Sequence, residues 1–264
     1  MDLNLLKKIT LISLFFYLPL QTMAWGMLGH RIVGEIADSY LNAKTRIEIK
    51  KILGNESIAM ASNWGDFIKS DTTYDYLEKW HYVDFERGTD YDQMQAILKN
   101  DTTTNAYTKL NMLISGLKSK SLSQDKKLFY LRMLIHIMGD ISQPLHVGYA
   151  ADEGGNKVKV SWFNASTNLH SIWDSRLIDD QKLSYTEYTR AINFSTLQQR
   201  LAWQKGGLNG WIYDSFQVTQ SLYLDVKEGD KLSYQYIFKH LDTVNKQLLK
   251  GGVRLAYILN TLFA

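Results

Sequence analysis

The sequence predicts an all-α, single-domain protein with a small β element, and three observations lead to that fold class. The chain has 264 residues, of which 45% are hydrophobic, and no linker rich in proline, serine or glycine divides it. Apolar residues recur at intervals of three and four over most of the chain, which is typical of amphipathic helices. Extended structure is expected at 80–85 (WHYVDF) and 157–163 (KVKVSWF), which are rich in β-branched and aromatic residues.

The helical pattern begins at residue 29 and continues almost to the end of the chain. It predicts helices at 29–41, 107–117, 127–141, 168–178, 186–204, 211–223, 231–249 and 252–263. Pro144 should end the 127–141 helix near Ser142, because proline disfavours helical geometry in the residue before it. A turn signal at 152–156 (DEGGN) precedes the second extended stretch.

The composition excludes several classes of protein. The chain contains no cysteine, so it is not a disulfide scaffold, and any zinc site must use nitrogen and oxygen ligands. The apolar content excludes a disordered chain. The net charge of +3 is too small for a protein that grips nucleic acid with lysine and arginine alone.

Residues 1–24 have the composition of a signal peptide. Lys7 and Lys8 precede an apolar run at 9–20, and Thr22 and Ala24 are small residues suited to a cleavage site. The alternative is an uncleaved anchor, but the run is shorter than the roughly 20 residues that span a bilayer. We therefore expect a secreted or periplasmic domain, residues 25–264, without stable membrane association. Its new N terminus would be Trp25, whose free amine and carbonyl oxygen could chelate a metal.

Two histidine–aspartate pairs have the spacing of metal ligands on a helix. His136 and Asp140 are four residues apart, as are His170 and Asp174, so each pair lies on one helical face. Taken singly, each pair could also be a surface pair or a capped core histidine. The residues around His136 are apolar, however, and a buried carboxylate there needs a partner that a metal could supply.

Further polar residues lie where they could complete such a site. His146 follows the predicted helix end at Pro144, and His30 comes shortly after Trp25. Asp66 is followed one helical turn later by Lys69. A lysine beside a metal-binding carboxylate could neutralise the charge that develops in phosphoryl transfer, although Lys69 could also be an ordinary surface lysine.

Several short motifs occur in an order that resembles a known family. They are Trp25-Gly26…Gly29-His30, Trp64-Gly65-Asp66, Trp80-His81-Tyr82, His136-x3-Gly139-Asp140-x5-His146, Asp152-x-Gly154-Gly155-Asn156 and His170-x3-Asp174. This combination resembles the zinc-dependent single-strand-specific nucleases of the S-one/P-one type, which are related to the zinc phospholipases C. The resemblance covers essentially all of residues 25–264, including the C-terminal segment 251–260 (GGVRLAYILN).

The resemblance implies a phospholipase C/nuclease-type fold with three Zn²⁺ ions in a cleft. It assigns Asp66, His81, His136 and Asp140 to the first zinc, His146, His170 and Asp174 to the second, and Trp25, His30 and a shared Asp140 to the third. His240 is left over, and a surface or core role suits it. Fungal members carry disulfides that this chain lacks, but that difference does not affect the zinc ligands.

The resemblance also implies a reaction. A hydroxide bridging two zincs would attack phosphorus, with Asp66 and Lys69 in the catalytic set, and cleavage of the P–O3′ bond would leave 5′-phosphorylated products. Single-stranded DNA, RNA and 3′-nucleotides are the expected substrates of a monomeric enzyme. Tyr82 would stack on a base while Asp84 and Asn156 bind its edge, although a core tyrosine and an ordinary turn would explain the same residues.

Two other functions remain open at this point. A zinc phospholipase C would use the same scaffold on phospholipid headgroups, and a non-catalytic secreted protein could use the same ligands only to bind zinc. The pair of polar residues suited to a base edge, Asp84 and Asn156, favours the nuclease over the phospholipase. Lys69 and the more open second zinc site favour an enzyme over a binding protein.

Overall fold

Three helices form the centre of the fold in a computed structural model that describes residues 25–264. They are α1 (Met27–Ser39), α7 (Gln124–Asp140) and α13 (Tyr234–Phe263), and α13 packs along both of the others. Every residue of α7 from Met133 to Asp140 is buried, as expected of a helix with apolar residues on all sides. The predicted signal peptide, residues 1–24, lies outside the described residues.

Ten further helices of residues 25–264 surround this centre. They are α2 (Ala43–Leu53), α3 (Ile58–Ala61), α4 (Trp64–Phe67), α5 (Tyr91–Asn100), α6 (Ala106–Leu117), α8 (Leu169–Ser171), α9 (Leu177–Asp179), α10 (Tyr185–Ile192), α11 (Leu197–Gln204) and α12 (Gly207–Leu222). A π-helical turn, Ile172–Arg176, joins α8 to α9, and 3₁₀ turns span Ile68–Ser70, Thr72–Trp80, Pro144–His146 and Ala150–Asp152. None of the helices within residues 25–264 has the length and apolar character needed to cross a membrane.

The β structure is a small three-stranded sheet in the order β2-β1-β3. Strand β1 (Lys159–Trp162) pairs with β2 (Ala165–Asn168) in antiparallel register and with β3 (Lys231–Leu232) in parallel register. The mostly helical fold class and the extended stretch at 157–163 are therefore confirmed. The chain leaves β2 directly into α8, which carries His170.

The extended stretch predicted at 80–85 is only partly present. Trp80 ends a 3₁₀ turn, and the following residues run beside the 146–149 segment without joining the sheet. The amides of Val83 and Phe85 donate to the carbonyls of His146 and Gly148, each at 2.9 Å. The β-branched and aromatic residues of 80–85 therefore form a short bridge to 146–149, and this bridge holds His81 beside His146.

In two places the structure divides the chain into helices differently from the prediction. The 186–204 helix is broken because Thr196 caps a new helix through the amide of Gln199. The predictions at 231–249 and 252–263 are one helix, α13, preceded by strand β3. Gly252 lies inside α13, where a β-carbon would come within 2.4 Å of Ile36, so this glycine allows helix packing and does not end the helix.

Candidate metal centre and adjoining pocket

Asp140, at the end of α7, lies at the centre of the predicted ligands. Its carboxylate oxygens lie 3.3 Å from His30 Nε2, 3.1 Å from His81 Nδ1 and 3.4 Å from His136 Nε2. His30 comes from α1 and His81 from the end of a 3₁₀ turn, so the buried end of α7 brings three parts of the chain together. The four side chains are almost completely buried.

Asp66 lies on the same side of the centre, at the end of the short helix α4. Its carboxylate is 3.8 Å from His136 Nε2 and 4.0 Å from His30 Nε2. The ammonium of Lys69, one turn later, donates to Asp66 Oδ1 at 2.6 Å. The predicted face shared by Asp66 and Lys69 is therefore present.

A second group forms around Asp174, which is held in the π-helical turn. His170 Nε2 lies 3.1 Å from Asp174 Oδ2, and His146 Nε2 lies 3.6 Å from Asp174 Oδ1. His146 also approaches Asp140, at 3.9 Å. The loop after Pro144 thus returns toward the end of α7, so His146 lies between the two groups.

Backbone carbonyls hold the outer nitrogen of three of these histidines. Nδ1 of His136 is 2.6 Å from the Ser62 carbonyl, and Nδ1 of both His146 and His170 is 2.7 Å from a carbonyl. A nitrogen that donates to a carbonyl carries a proton, so in the neutral form of each ring Nε2, which faces the carboxylates, is the nitrogen able to bind a metal. This arrangement is typical of histidines that bind a metal.

Several buried polar atoms in this region have no hydrogen-bond partner within residues 25–264. They are Nδ1 and Nε2 of His30, Oδ2 of Asp66, Nε2 of His81, Oδ1 of Asp140 and Nε2 of His146. Buried polar atoms normally find a partner, so such a concentration points to a missing ligand. Imidazole nitrogens and carboxylate oxygens are donors that zinc accepts, and the residues therefore fit a metal.

Within residues 25–264, three groups of side chains bring their ligand atoms within 4.8 Å of one another. They are His30, Asp66 and His136; His81, His136 and Asp140; and His146, His170 and Asp174. The last group is the set expected for the second zinc. His30, expected with Asp140 and Trp25, lies close to Asp66 and His136 as well as to Asp140.

Trp25 lies beside the metal-ligand groups, where its indole and the amide of the next residue, Gly26, each make a hydrogen bond. Its indole is fully buried and donates from Nε1 to Ser142 Oγ at 3.0 Å. The amide of Gly26 donates to the carbonyl of Asp174 at 2.7 Å. The first described residue is therefore anchored between the end of α7 and the Asp174 group.

Two glycines allow the histidine rings to come close together. A β-carbon on Gly65 would lie 2.5 Å from the His136 ring, and one on Gly139 would lie 2.6 Å from His30 Nδ1. The rings of His30 and His136 stack with centroids 4.1 Å apart. An alanine at either position would have to displace an imidazole that packs against Asp140.

The charges of the buried groups depend on one another. Burial alone would raise the pKa of Asp66, but His136 and Lys69 outweigh it and lower that pKa to about 2. Burial likewise opposes ionisation of Asp140, yet His136, His30 and His81 hold its pKa well below the usual value. Burial lowers the pKa of His136 to about 3. Ionised Asp66 and Asp140 and a neutral His136 are the protonation states that metal binding requires. Asp174 and Asp140, in contrast, outweigh burial and raise the pKa of His146 to about 9, so His146 would release a proton on binding a metal.

A cavity of about 430 Å³ opens beside this centre. Its lining includes the predicted residues Lys69, Tyr82, Asp84 and Asn156 together with His81, His146 and His170. Tyr82 is 36% exposed, so it lies at the rim and is not a core residue. Burial raises the pKa of Asp84 to about 6.

Some residues of the site were not found from the sequence. Glu78 and Glu153 also line the cavity, and Gln143 contacts Asp174 from the turn after α7. Glutamates are common on surfaces, and a glutamine in a turn carries no chemical signature. His240 lies outside the centre, 3.7 Å from Asp225, in agreement with its predicted exclusion.

Comparison with known proteins agrees with this geometry. The S1/P1 Nuclease family description matches residues 25–264. Endonuclease 3 of Arabidopsis thaliana is 31% identical over 264 residues, covering 92% of this chain and 90% of that protein. Nuclease P1 of Penicillium citrinum is 27% identical over 269 residues, covering 90% of this chain and 97% of that protein. The chain therefore belongs to the S1/P1 nuclease family and is a hydrolase that acts on phosphodiester bonds.

Proposed function

We propose that residues 25–264 form a secreted or periplasmic zinc-dependent endonuclease for single-stranded DNA and RNA that also removes phosphate from 3′-nucleotides. Cleavage of the P–O3′ bond would leave 5′-phosphorylated products. The observation that carries this proposal is the set of buried nitrogen and oxygen atoms around Asp140 that have no hydrogen-bond partner among the described residues, next to an open cavity. The zinc dependence of the S1/P1 nuclease family supports it.

Nine residues would hold three zinc ions. They are Trp25, His30, Asp66, His81, His136, Asp140, His146, His170 and Asp174. When bound, zinc would lower the pKa of water and offset the negative charge of a phosphodiester. Because the ligands include only three carboxylates, the centre would keep a positive charge and attract an anion even though the chain is nearly neutral.

Lys69 would bind the phosphate. Its side chain is 21% exposed, lines the cavity and is held in place by Asp66. An ammonium fixed beside the reacting phosphorus would stabilise the negative charge that grows on the phosphate oxygens in the transition state. Asp66 would thus orient Lys69 as well as bind zinc.

The base would bind at the rim of the same cavity. The exposed ring of Tyr82 offers a stacking surface, and Asp84 and Asn156 line the cavity beside it as hydrogen-bonding groups for the base edge. Stacking on an aromatic ring suits any base, which favours tolerance of sequence. A base in a duplex would first have to unstack and unpair, so single strands should react faster.

The N terminus of the processed chain would supply the remaining zinc ligands. Removal of residues 1–24 would free the amine of Trp25, whose indole is already anchored to Ser142. That amine and the Trp25 carbonyl oxygen would join His30 and Asp140 at the third zinc. A chain that retains even one residue before Trp25 should therefore bind one zinc fewer.

The test uses protein that begins at Trp25. Metal analysis should find three zinc equivalents, and single-stranded DNA should be cleaved faster than a duplex of the same sequence. Release of phosphate from 3′-AMP but not from 5′-AMP should accompany it. A protein extended by one glycine before Trp25 serves as the matched control. Hydrolysis of phosphatidylcholine in place of nucleic acid would identify a phospholipase C instead, and zinc binding with no turnover would identify a binding protein.

A further inference from the structure

Gln143 occupies the turn that connects the two groups of histidines. Its backbone amide donates to the Asp140 carbonyl at 2.9 Å, and its carbonyl accepts from the amide of His146 at 3.1 Å. The side chain is completely buried. The turn therefore carries a polar side chain into the interior between Asp140 and His146.

Both polar atoms of that side chain have a partner. Nε2 donates to Asp174 Oδ1, and Oε1 accepts from the amide of Leu145, each at 2.5 Å. The bond to Leu145 fixes which way the amide faces, because the acceptor oxygen is committed to the turn. The NH₂ group can then point only toward the carboxylate.

We propose that Gln143 is a positioning residue that orients the carboxylate of Asp174 for metal binding. The inference rests on the proposed metal centre. The amide of Gln143 binds Oδ1, which also lies 3.6 Å from His146 Nε2, and this contact turns Oδ2 toward His170 Nε2, at 3.1 Å. Because the Gln143 amide is neutral, it can hold the Asp174 carboxylate without offsetting the negative charge that would bind the metal. Groups that orient a ligand in this way commonly raise metal affinity 10–100-fold.

A merely structural role for Gln143 is the competing explanation, and the fold supplies a control for it. Gln247 of α13 is also a buried glutamine at this turn, and its Nε2 donates to the carbonyl of Ser142 at 3.0 Å. It holds the backbone one residue away from Gln143. Among the described residues, its recorded hydrogen bonds go to Ser142 and Ser215 and not to a predicted ligand.

The experiment compares Q143M with Q247M in protein that begins at Trp25. Each variant is equilibrated with a buffered range of free zinc, and bound zinc is counted by native mass spectrometry. We expect Q143M to lose one of three zincs at a free concentration that saturates the wild type, with affinity for that zinc weakened about 10–100-fold. Q247M should keep all three, even if its melting temperature falls.

The outcomes separate this inference from the proposed function. Wild-type protein that binds no zinc would overturn both, whereas three zincs held equally tightly in Q143M would overturn only the role of Gln143. Equal loss in Q143M and Q247M would assign Gln143 a structural role. Should Q143M fail to fold, Q143N replaces it, since that amide is one methylene too short to reach Asp174 and should lose the same zinc.

Discussion

Two polar clusters of this protein, one buried and one partly buried, pair their charges in opposite ways. One surrounds Asp140, and the other joins Asp214 of α12 to Lys250 and Arg254 of α13. In the second cluster, Asp214 accepts from Lys250 at 2.6 Å and from Arg254 at 2.8 Å, and Arg254 also donates to the Trp203 carbonyl. Each charged group therefore has a partner from the protein itself.

In the cluster around Asp140, by contrast, not every polar atom has a partner among residues 25–264. Four of its side chains, His30, Asp66, His81 and Asp140, keep buried atoms without a partner within residues 25–264. A buried polar group with no partner destabilises a fold unless something else binds it. The contrast indicates that the Asp214 cluster stabilises the protein, whereas the Asp140 cluster is organised for a ligand from outside.

Replacing Asp140 with alanine should have the largest effect on function. Because this carboxylate contacts His30, His81 and His136, its loss should remove two of three zincs and lower kcat/KM by more than ~10³-fold. Metal analysis and cleavage of single-stranded DNA provide the measurement. Retention of full activity in the alanine variant would contradict the proposed centre.

Lys69→Met should leave the zinc content unchanged and still slow the reaction. Loss of one fixed donor to a phosphate oxygen typically lowers kcat by about 10²–10³-fold, or roughly 3–4 kcal/mol. Lys79→Met, a change at an exposed lysine that follows in the next 3₁₀ turn, is the matched control and should behave like the wild type. Equal activity of the two variants would make Lys69 an ordinary surface residue.

Asp214→Asn should affect stability and not zinc. Removing the charge of this partly buried carboxylate leaves the buried Lys250 and Arg254 uncompensated, so we expect a loss of about 1–3 kcal/mol in the free energy of unfolding. Urea denaturation of the metal-free protein measures this loss, and zinc analysis checks the centre. A variant with fewer zincs would show that the two clusters are coupled.

Lowering the pH should reduce the difference in the free energy of unfolding between the Asp214→Asn variant and the wild type. Burial opposes ionisation of Asp214, but Arg254 and Lys250 outweigh it and lower its pKa. A carboxyl with a lowered folded pKa stabilises the protein above its unfolded pKa of about 3.9 and loses that effect as the pH falls through the folded value. Denaturation curves between pH 7 and pH 3 should therefore converge at the acid end.

Tyr82→Ala should have the smallest effect. Removing a stacking surface weakens binding of a base by about 1–3 kcal/mol, so KM for single-stranded DNA should rise while kcat and zinc content stay close to the wild type. Tyr82→Phe keeps the ring and should preserve KM. A rise in KM for both variants would assign the hydroxyl, and not stacking, the main role.

The sequence predicted the parts of the centre that depend on local spacing. His136 and Asp140 meet because they are four apart on α7, and His170 and Asp174 have the same spacing. The local pattern could not indicate Gln143, whose partner Asp174 is 31 residues away along the chain. The sequence predicted two helices, 231–249 and 252–263, where the structure has one, because packing of α13 against α1 outweighs the low helix propensity of Gly251 and Gly252.

The glycines at 65 and 139 have a consequence for reading related genes. Each faces a histidine ring at a distance too short for even one additional methyl group. A homologue could therefore retain all nine proposed ligands and still be inactive because of a single alanine at one of these positions. Inspection of both glycines, together with the ligands, offers a rule for separating working enzymes from degenerate copies.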